Sequence, residues 1–346
     1  MTRASCIVQA ALAEQSDEWA LVANLQKEKD ELSRKLYALP VEQFRAAGYR
    51  PPPIPPDSPT PGKDLDIVQT EVEVRDGTKI LIRIYTSTDH SPGSLLFFNA
   101  HGGGFVTGNT ETEEAQNRLI AVKNGAVVVS VDYRRAPEYP YPFAVNDCFD
   151  VLIWCRKNAD SLNIDPQRII VGGGSAGANL STVLALKFRN LSIPGIIGQI
   201  LNIPVTCHPA CFPQGKYEYI SYKQNKNSPI VDANRMYWFW NQYLPDATPD
   251  PYASPLLAES LHGLPPTLVQ VAGMDPLRDE GIAYAQALKK AGVSTTLRIY
   301  AGLPHAFYIY PQLPSTAVYL TTMVDWIATN FQGCQVKERK IENHEF

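Results

Sequence analysis

No apolar run in this 346-residue chain approaches the ~18 residues a membrane-spanning helix needs, so stable insertion into a bilayer is not expected. An excess of positive charge is missing too: 35 Asp and Glu face 31 Lys and Arg, and the basic residues are scattered. Nucleic-acid binding draws on clustered cations, which argues against that partner. Cysteine is sparse and irregular. Cys6, Cys148, Cys155, Cys207, Cys211 and Cys334 follow no framework spacing, and Cys148 and Cys155 lie seven apart, on one helical face as packing groups. The cluster Cys207-His208-Pro209-Ala210-Cys211 lacks a second ligand pair at zinc spacing, so free thiols and no metal are expected. A chain this long buries enough apolar surface to need neither staple. The stretch Ala4–Ala13 is interrupted by Gln9 and soon followed by Glu14, Asp17 and Glu18. That is a poor signal-peptide core, and a short helix in a cytoplasmic protein is expected.

What is present divides the chain. Residues 1–50 read as amphipathic helix, with Trp19, Leu21, Leu25, Leu32, Leu36 and Phe44 recurring among charged residues. The tract Pro51-Pro52-Pro53-Ile54-Pro55-Pro56 cannot continue a helix and reads as a stiff linker. Beyond it, Ile67–Val74 and Ile80–Tyr85 alternate around Asp76-Gly77, a hairpin signal. Six short apolar runs follow: Leu95–Phe98, Ala126–Val131, Arg168–Val171, Ile196–Leu201, Thr267–Val271 and Thr295–Tyr300. Helical stretches around 113–124, 142–159, 177–190, 279–291 and 315–331 lie between and after them. Continuous Val/Ile/Leu runs separated by helices predict strands buried on both faces. The expected class is α/β, an eight-stranded mostly parallel sheet flanked by helices. Residues 205–245, Pro- and Tyr-rich with Met236-Tyr237-Trp238-Phe239-Trp240, read as an insertion that packs with residues 1–60 as a helical cap. The core would then comprise 61–204 and 246–336, and 337–346 a charged, solvated tail.

In such a sheet ligands bind beyond the carboxyl ends of the strands. The run Arg168–Val171 leads into Gly172-Gly173-Gly174-Ser175-Ala176-Gly177. A dinucleotide reading of this string needs an acid about 20 residues on, and none stands between Asp165 and Glu218. The nucleophile-elbow reading needs a strand before, a helix after and small neighbours, and all are present. Leu95–Phe98 is followed by His101-Gly102-Gly103-Gly104-Phe105. The amides of Gly103 and Gly104, joined by that of Ala176, would form a three-donor oxyanion hole. Thr267–Val271 leads to Asp275, the expected orienting carboxylate, with Asp279 as runner-up among acids at a helix start. Thr295–Tyr300 precedes His305, placed to act as general base. The order Ser175, Asp275, His305 is that of α/β-hydrolases.

These blocks, with Val131-Asp132-Tyr133-Arg134-Arg135-Ala136-Pro137-Glu138 and Pro304-His305-Ala306-Phe307, resemble the hormone-sensitive-lipase-like esterases over roughly residues 95–310. The resemblance implies a capped α/β-hydrolase fold without a cofactor, hydrolysing short- to medium-chain acyl esters. It implies Ser175 as nucleophile, His305 as base and Asp275 as its partner, with Gly103, Gly104 and Ala176 as oxyanion donors. One position departs: the family usually carries Asp or Thr just before the serine, where this chain has Gly174. Phe105, Tyr237, Trp238 and Trp240 are taken as substrate-binding aromatics, with the cap's own core as their alternative role. If they line the pocket, a bulky or aromatic natural-product ester fits. A condensation, cyclisation or elimination on a biosynthetic intermediate is the alternative chemistry. A small-molecule ester is the expected partner, and a homodimer is compatible with this reading.

Overall fold

The computed structural model describes residues 10–37, 39–47 and 51–332. Eight strands form one sheet: β1 (Leu65–Glu73), β2 (Lys79–Ser87), β3 (Ser94–Ala100), β4 (Val127–Val131), β5 (Ile164–Gly174), β6 (Ile196–Asn202), β7 (Thr267–Ala272) and β8 (Thr295–Tyr300). Their order is β1-β2-β4-β3-β5-β6-β7-β8. β1 and β2 form the hairpin around Asp76-Gly77, and β2 pairs antiparallel with β4. Every other pairing is parallel. The central strands are apolar at consecutive positions because both faces are covered. Leu96, Phe98, Val127 and Val129 enter one core with residues of the helices Phe143–Lys157, Ala176–Asn190 and Arg278–Lys290. Leu95, Phe97 and Val128 enter a second core with Ile120 of Glu114–Asn124 and Met323 and Ile327 of Pro314–Phe331. Cys148 and Cys155 are buried in the first core.

The helix Asp17–Leu36 differs from its predicted face. Trp19, Val22 and Gln26 are buried, with Trp19 edge-on to Tyr310 at 5.7 Å. Leu21 and Leu32 are 76% and 60% exposed, and Leu25 is exposed as well. At 100° per residue these leucines fall on the side opposite Trp19, so one helix carries two apolar stripes and only one meets the sheet.

Residues 205–250 contain the short helix Ser221–Gln224 and the helix Ala233–Tyr243. The latter meets the N-terminal helices through Trp238, whose ring lies 5.0 Å from Tyr37 and 5.4 Å from Phe44. Asp30 accepts the Ile230 N–H at 3.0 Å. Below, Asp279 accepts the N–H groups of Ile220 and Ser221, each at 2.7 Å, and Glu280 accepts that of Thr206 at 2.7 Å. Among the described residues no helix is long and apolar enough to cross a membrane. Only residues 10–13 of the Ala4–Ala13 stretch are described. Cys6, Cys334 and the 337–346 tail lie outside the described residues.

Candidate active site

Ser175 stands between the last residue of β5 and the first of the helix Ala176–Asn190. Its backbone is forced into an unusual conformation, φ 55° and ψ −115°. A non-glycine residue adopts positive φ only where its surroundings over-determine it. Here the Ser175 N–H donates to Asn202 O at 2.8 Å, and Val205 N–H donates to Ser175 O at 3.3 Å. Gly177 permits the sharp exit, since a Cβ there would lie 1.9 Å from Ala100 O. The helix therefore abuts the end of β3, and the serine is carried on a tight strand-to-helix turn.

His305, in the loop after β8, reaches both partners. Its Nδ1 lies 2.7 Å from Asp275 Oδ2 and its Nε2 lies 3.1 Å from Ser175 Oγ. All three residues are buried. A carboxylate facing Nδ1 places the ring proton there and leaves Nε2 as the acceptor turned to the serine hydroxyl. Asp275 is itself held: its Oδ1 accepts the Leu277 N–H at 2.8 Å. The Asn225 amide donates to Asp275 O at 2.8 Å and Gly273 O at 3.2 Å. Asp279 is turned away, bonded to Ile220 and Ser221 and to Arg278 Nε at 2.8 Å. The runner-up acid thus anchors the insertion and does not meet the histidine.

The loop His101–Phe105 leaves β3 beside the elbow; a Cβ at Gly102 would sit 3.1 Å from Gly174 O. His101 is fully buried, stacked on Tyr133 at 4.1 Å, and Tyr133 Oη donates to His101 O at 2.7 Å. Gly104 has φ 60°, and a Cβ there would fall 2.3 Å from the Phe239 ring. Among the described residues no protein acceptor takes the N–H of Gly103, Gly104 or Ala176. The loop and the elbow thus bring three uncommitted amide donors to the end of the sheet that carries Ser175 and His305.

The four sequence-predicted aromatics have different surroundings. Tyr237 is 45% exposed and neighbours Tyr222. Trp238 packs on Tyr37 and Phe44. Phe105 and Trp240 are buried in the core, where Phe105 stacks on Tyr243 at 3.8 Å and Trp240 packs near both. Consecutive helical residues diverge by 100°, so a run of aromatics cannot face one way. The ring against Gly104 of the glycine loop is that of Phe239, which the aromatic run contains but gives no register to single out. Asn202, Asn225 and Glu113 were missed, since partners distant in sequence leave no local pattern. His208, in the Cys207–Cys211 cluster, accepts the Ala210 N–H at 3.1 Å and packs on Trp240, and Cys211 Sγ donates to Ala247 O. A cavity of about 360 Å³ opens between the N-terminal helix and the insertion, lined by Asp30, Arg34, Tyr37, Asp232, Arg235 and Trp238 among others, and it does not touch Ser175.

Compared with known proteins, residues 97–309 match the family described as alpha/beta hydrolase fold. The chain is 38% identical over 256 residues to the carboxylic ester hydrolase LipN of Mycobacterium tuberculosis, covering 71% of this chain and 66% of that one. It is 33% identical over 286 residues to the versiconal hemiacetal acetate esterase of Dothistroma septosporum, covering 80% and 85%. Among solved structures, vibralactone cyclase superposes with a TM-score of 0.79 at 28% identity, covering 93% of this chain and 96% of that one.

Proposed function

The chain belongs to the hormone-sensitive-lipase-like, carboxylesterase-type α/β-hydrolases, and from that premise we propose that it cleaves short- to medium-chain acyl esters through an acyl-enzyme on Ser175. The observation that carries this reading is the continuous hydrogen-bonded line from Asp275 through His305 to Ser175. A serine hydroxyl is a weak nucleophile until a base takes its proton during attack. His305 Nε2 accepts that proton as Oγ bonds to the ester carbonyl carbon, and Asp275 stabilises the imidazolium that forms. The carbonyl oxygen becomes an oxyanion, received by the amides of Gly103, Gly104 and Ala176. Collapse expels the alcohol, which leaves with the proton from His305. Water, deprotonated by the same imidazole, then attacks the acyl-enzyme and releases the acid. Overall one ester and one water give one acid and one alcohol. The N-terminal helices and residues 205–245 serve as the cap that shelters these steps.

The substrate is an ester small enough to pass beneath the cap. A bulky natural-product ester fits this proposal; the Dothistroma relative is named as an esterase of versiconal hemiacetal acetate. A second reading, cyclisation with the same pocket, draws on the likeness to vibralactone cyclase. A panel of p-nitrophenyl esters of graded acyl length tests the two. Turnover by wild type with loss in Ser175→Ala, whose fold is kept, is the expected result. Turnover at the wild-type level in Ser175→Ala refutes the assignment, and no acyl release by wild type from any ester supports the cyclase reading.

A further inference from the structure

Glu113 is a buried carboxyl that the steps above do not use. Its neighbour Glu114 is paired with Arg83 and Arg118, whereas among the described residues no ion pair reaches Glu113. Its Oε1 accepts the N–H of Gly102 at 2.8 Å. The same oxygen would lie 3.2 Å from a Cβ at Gly102 and 3.3 Å from a Cβ at Gly174. That second Cβ would also lie 2.9 Å from Tyr308 Oη, in the segment just after His305. The carboxyl therefore sits where the glycine loop, the residue before the nucleophile and the chain beyond the base converge.

We propose that Glu113 is a positioning residue for the oxyanion loop: its carboxyl, seated beside the bare Cα of Gly174, holds the Gly102 N–H and so fixes the direction of the next two amides. The inference rests on the reading of Gly103 and Gly104 as oxyanion donors. Gly174 leaves open the space this carboxyl needs. The groups facing Glu113 are the Asn99 side chain and the phenols of Tyr133 and Tyr319, with Tyr308 Oη also beside Gly174, and none is cationic. Burial pushes the Glu113 carboxyl up to about 8, against the Gly102 N–H and the Asn99 side chain, which favour ionisation. Burial thus favours the uncharged acid near neutral pH. Ionised, it would set a negative charge beside the loop that must receive an oxyanion.

The test uses Glu113→Gln, which keeps an acceptor for Gly102 and cannot ionise, and Glu113→Leu, which removes the acceptor. Both full-length variants are assayed with p-nitrophenyl acetate from about pH 6 to 10 to follow essential ionisations, after counting active serine with a fluorophosphonate probe. Misplaced donors cost about 10²-fold in kcat, the loss expected for Glu113→Leu with KM nearly unchanged. Glu113→Gln is expected to keep wild-type kcat near neutrality and to lose the wild-type decline above about pH 8. Wild-type kcat in Glu113→Leu overturns the proposal, as does a wild-type alkaline decline in Glu113→Gln. If Glu113→Leu does not fold, the Glu113→Gln profile decides. The Ser175→Ala control separates the two failures: an inactive control beside a fully active Glu113→Leu refutes only the role of Glu113.

Discussion

Replacing Asp275 with Asn tests the hydrogen-bonded line without removing an atom of its shape. Asp275 accepts on both oxygens, from Leu277 N–H at 2.8 Å and at His305 Nδ1 at 2.7 Å. An amide has one acceptor end and one donor end. The Leu277 backbone can only donate, so the Asn oxygen turns to it and the NH₂ faces His305. The imidazole answers by changing tautomer: Nδ1 becomes the acceptor and Nε2 carries the proton toward Ser175. The base is then capped where it should receive the serine proton. The equivalent change in a Ser-His-Asp template lowers kcat by about 10⁴, roughly 5 kcal/mol of transition-state stabilisation, and that is the loss expected here near neutral pH. Because every hydrogen bond is re-formed, the melting temperature should stay close to wild type. The assay is kcat/KM on a short-chain p-nitrophenyl ester beside a thermal melt. Activity within tenfold of wild type in a folded Asp275→Asn protein would show that the tautomer argument, and the role given to Asp275, is wrong.

Other outcomes follow from the same geometry. Gly177→Ala forces a Cβ to 1.9 Å from Ala100 O, a backbone clash that should cost at least the ~1–3 kcal/mol of an overpacked site and lower both melting temperature and kcat; a variant that melts and turns over like wild type refutes the close approach. Phe239→Leu thins the ring against Gly104 and should raise the ratio of kcat/KM for longer over shorter acyl esters by about tenfold, the scale of a methylene or two in an apolar pocket. An unchanged ratio removes Phe239 from the acyl path. Glu113 also sets a pH-dependence of stability. Its folded carboxyl lies above the ordinary 4.5, at about 8, so the folded state holds a proton that the unfolded chain has lost across that window. Relative to Glu113→Gln, wild type therefore loses stability as pH rises from about 4.5 to 8, by about 3 kcal/mol at pH 7. Melting curves of the two proteins that run parallel through this range would contradict the burial argument.

Much of the sheet was legible because strands covered on both faces write themselves as unbroken apolar runs, as in Leu95–Phe98 and Val127–Val131. β5 is longer than its predicted core. Ile164 pairs with Ser94 across a register shift, and the intervening Asp165-Pro166-Gln167 hides the start of the strand. The N-terminal helix was legible as a helix, but its buried face was misjudged: Leu21, Leu25 and Leu32 recur as regularly as Trp19, Val22 and Gln26. Periodicity gives a stripe and cannot say which stripe another element will cover.

The sequence alone determined the order of elements and the loops that carry unusual chemistry, because strand burial, glycine freedom and the neighbourhood of Ser175 are local properties of the chain. Only the tertiary structure decided between Asp275 and Asp279, since both acids follow the same strand and the choice rests on which one packing turns toward His305. It alone decided that Phe239, of four adjacent aromatics, meets Gly104, and that Glu113 lies beside Gly174. Side chains far apart in sequence meet only when the sheet brings loop ends together, and no local pattern encodes those meetings.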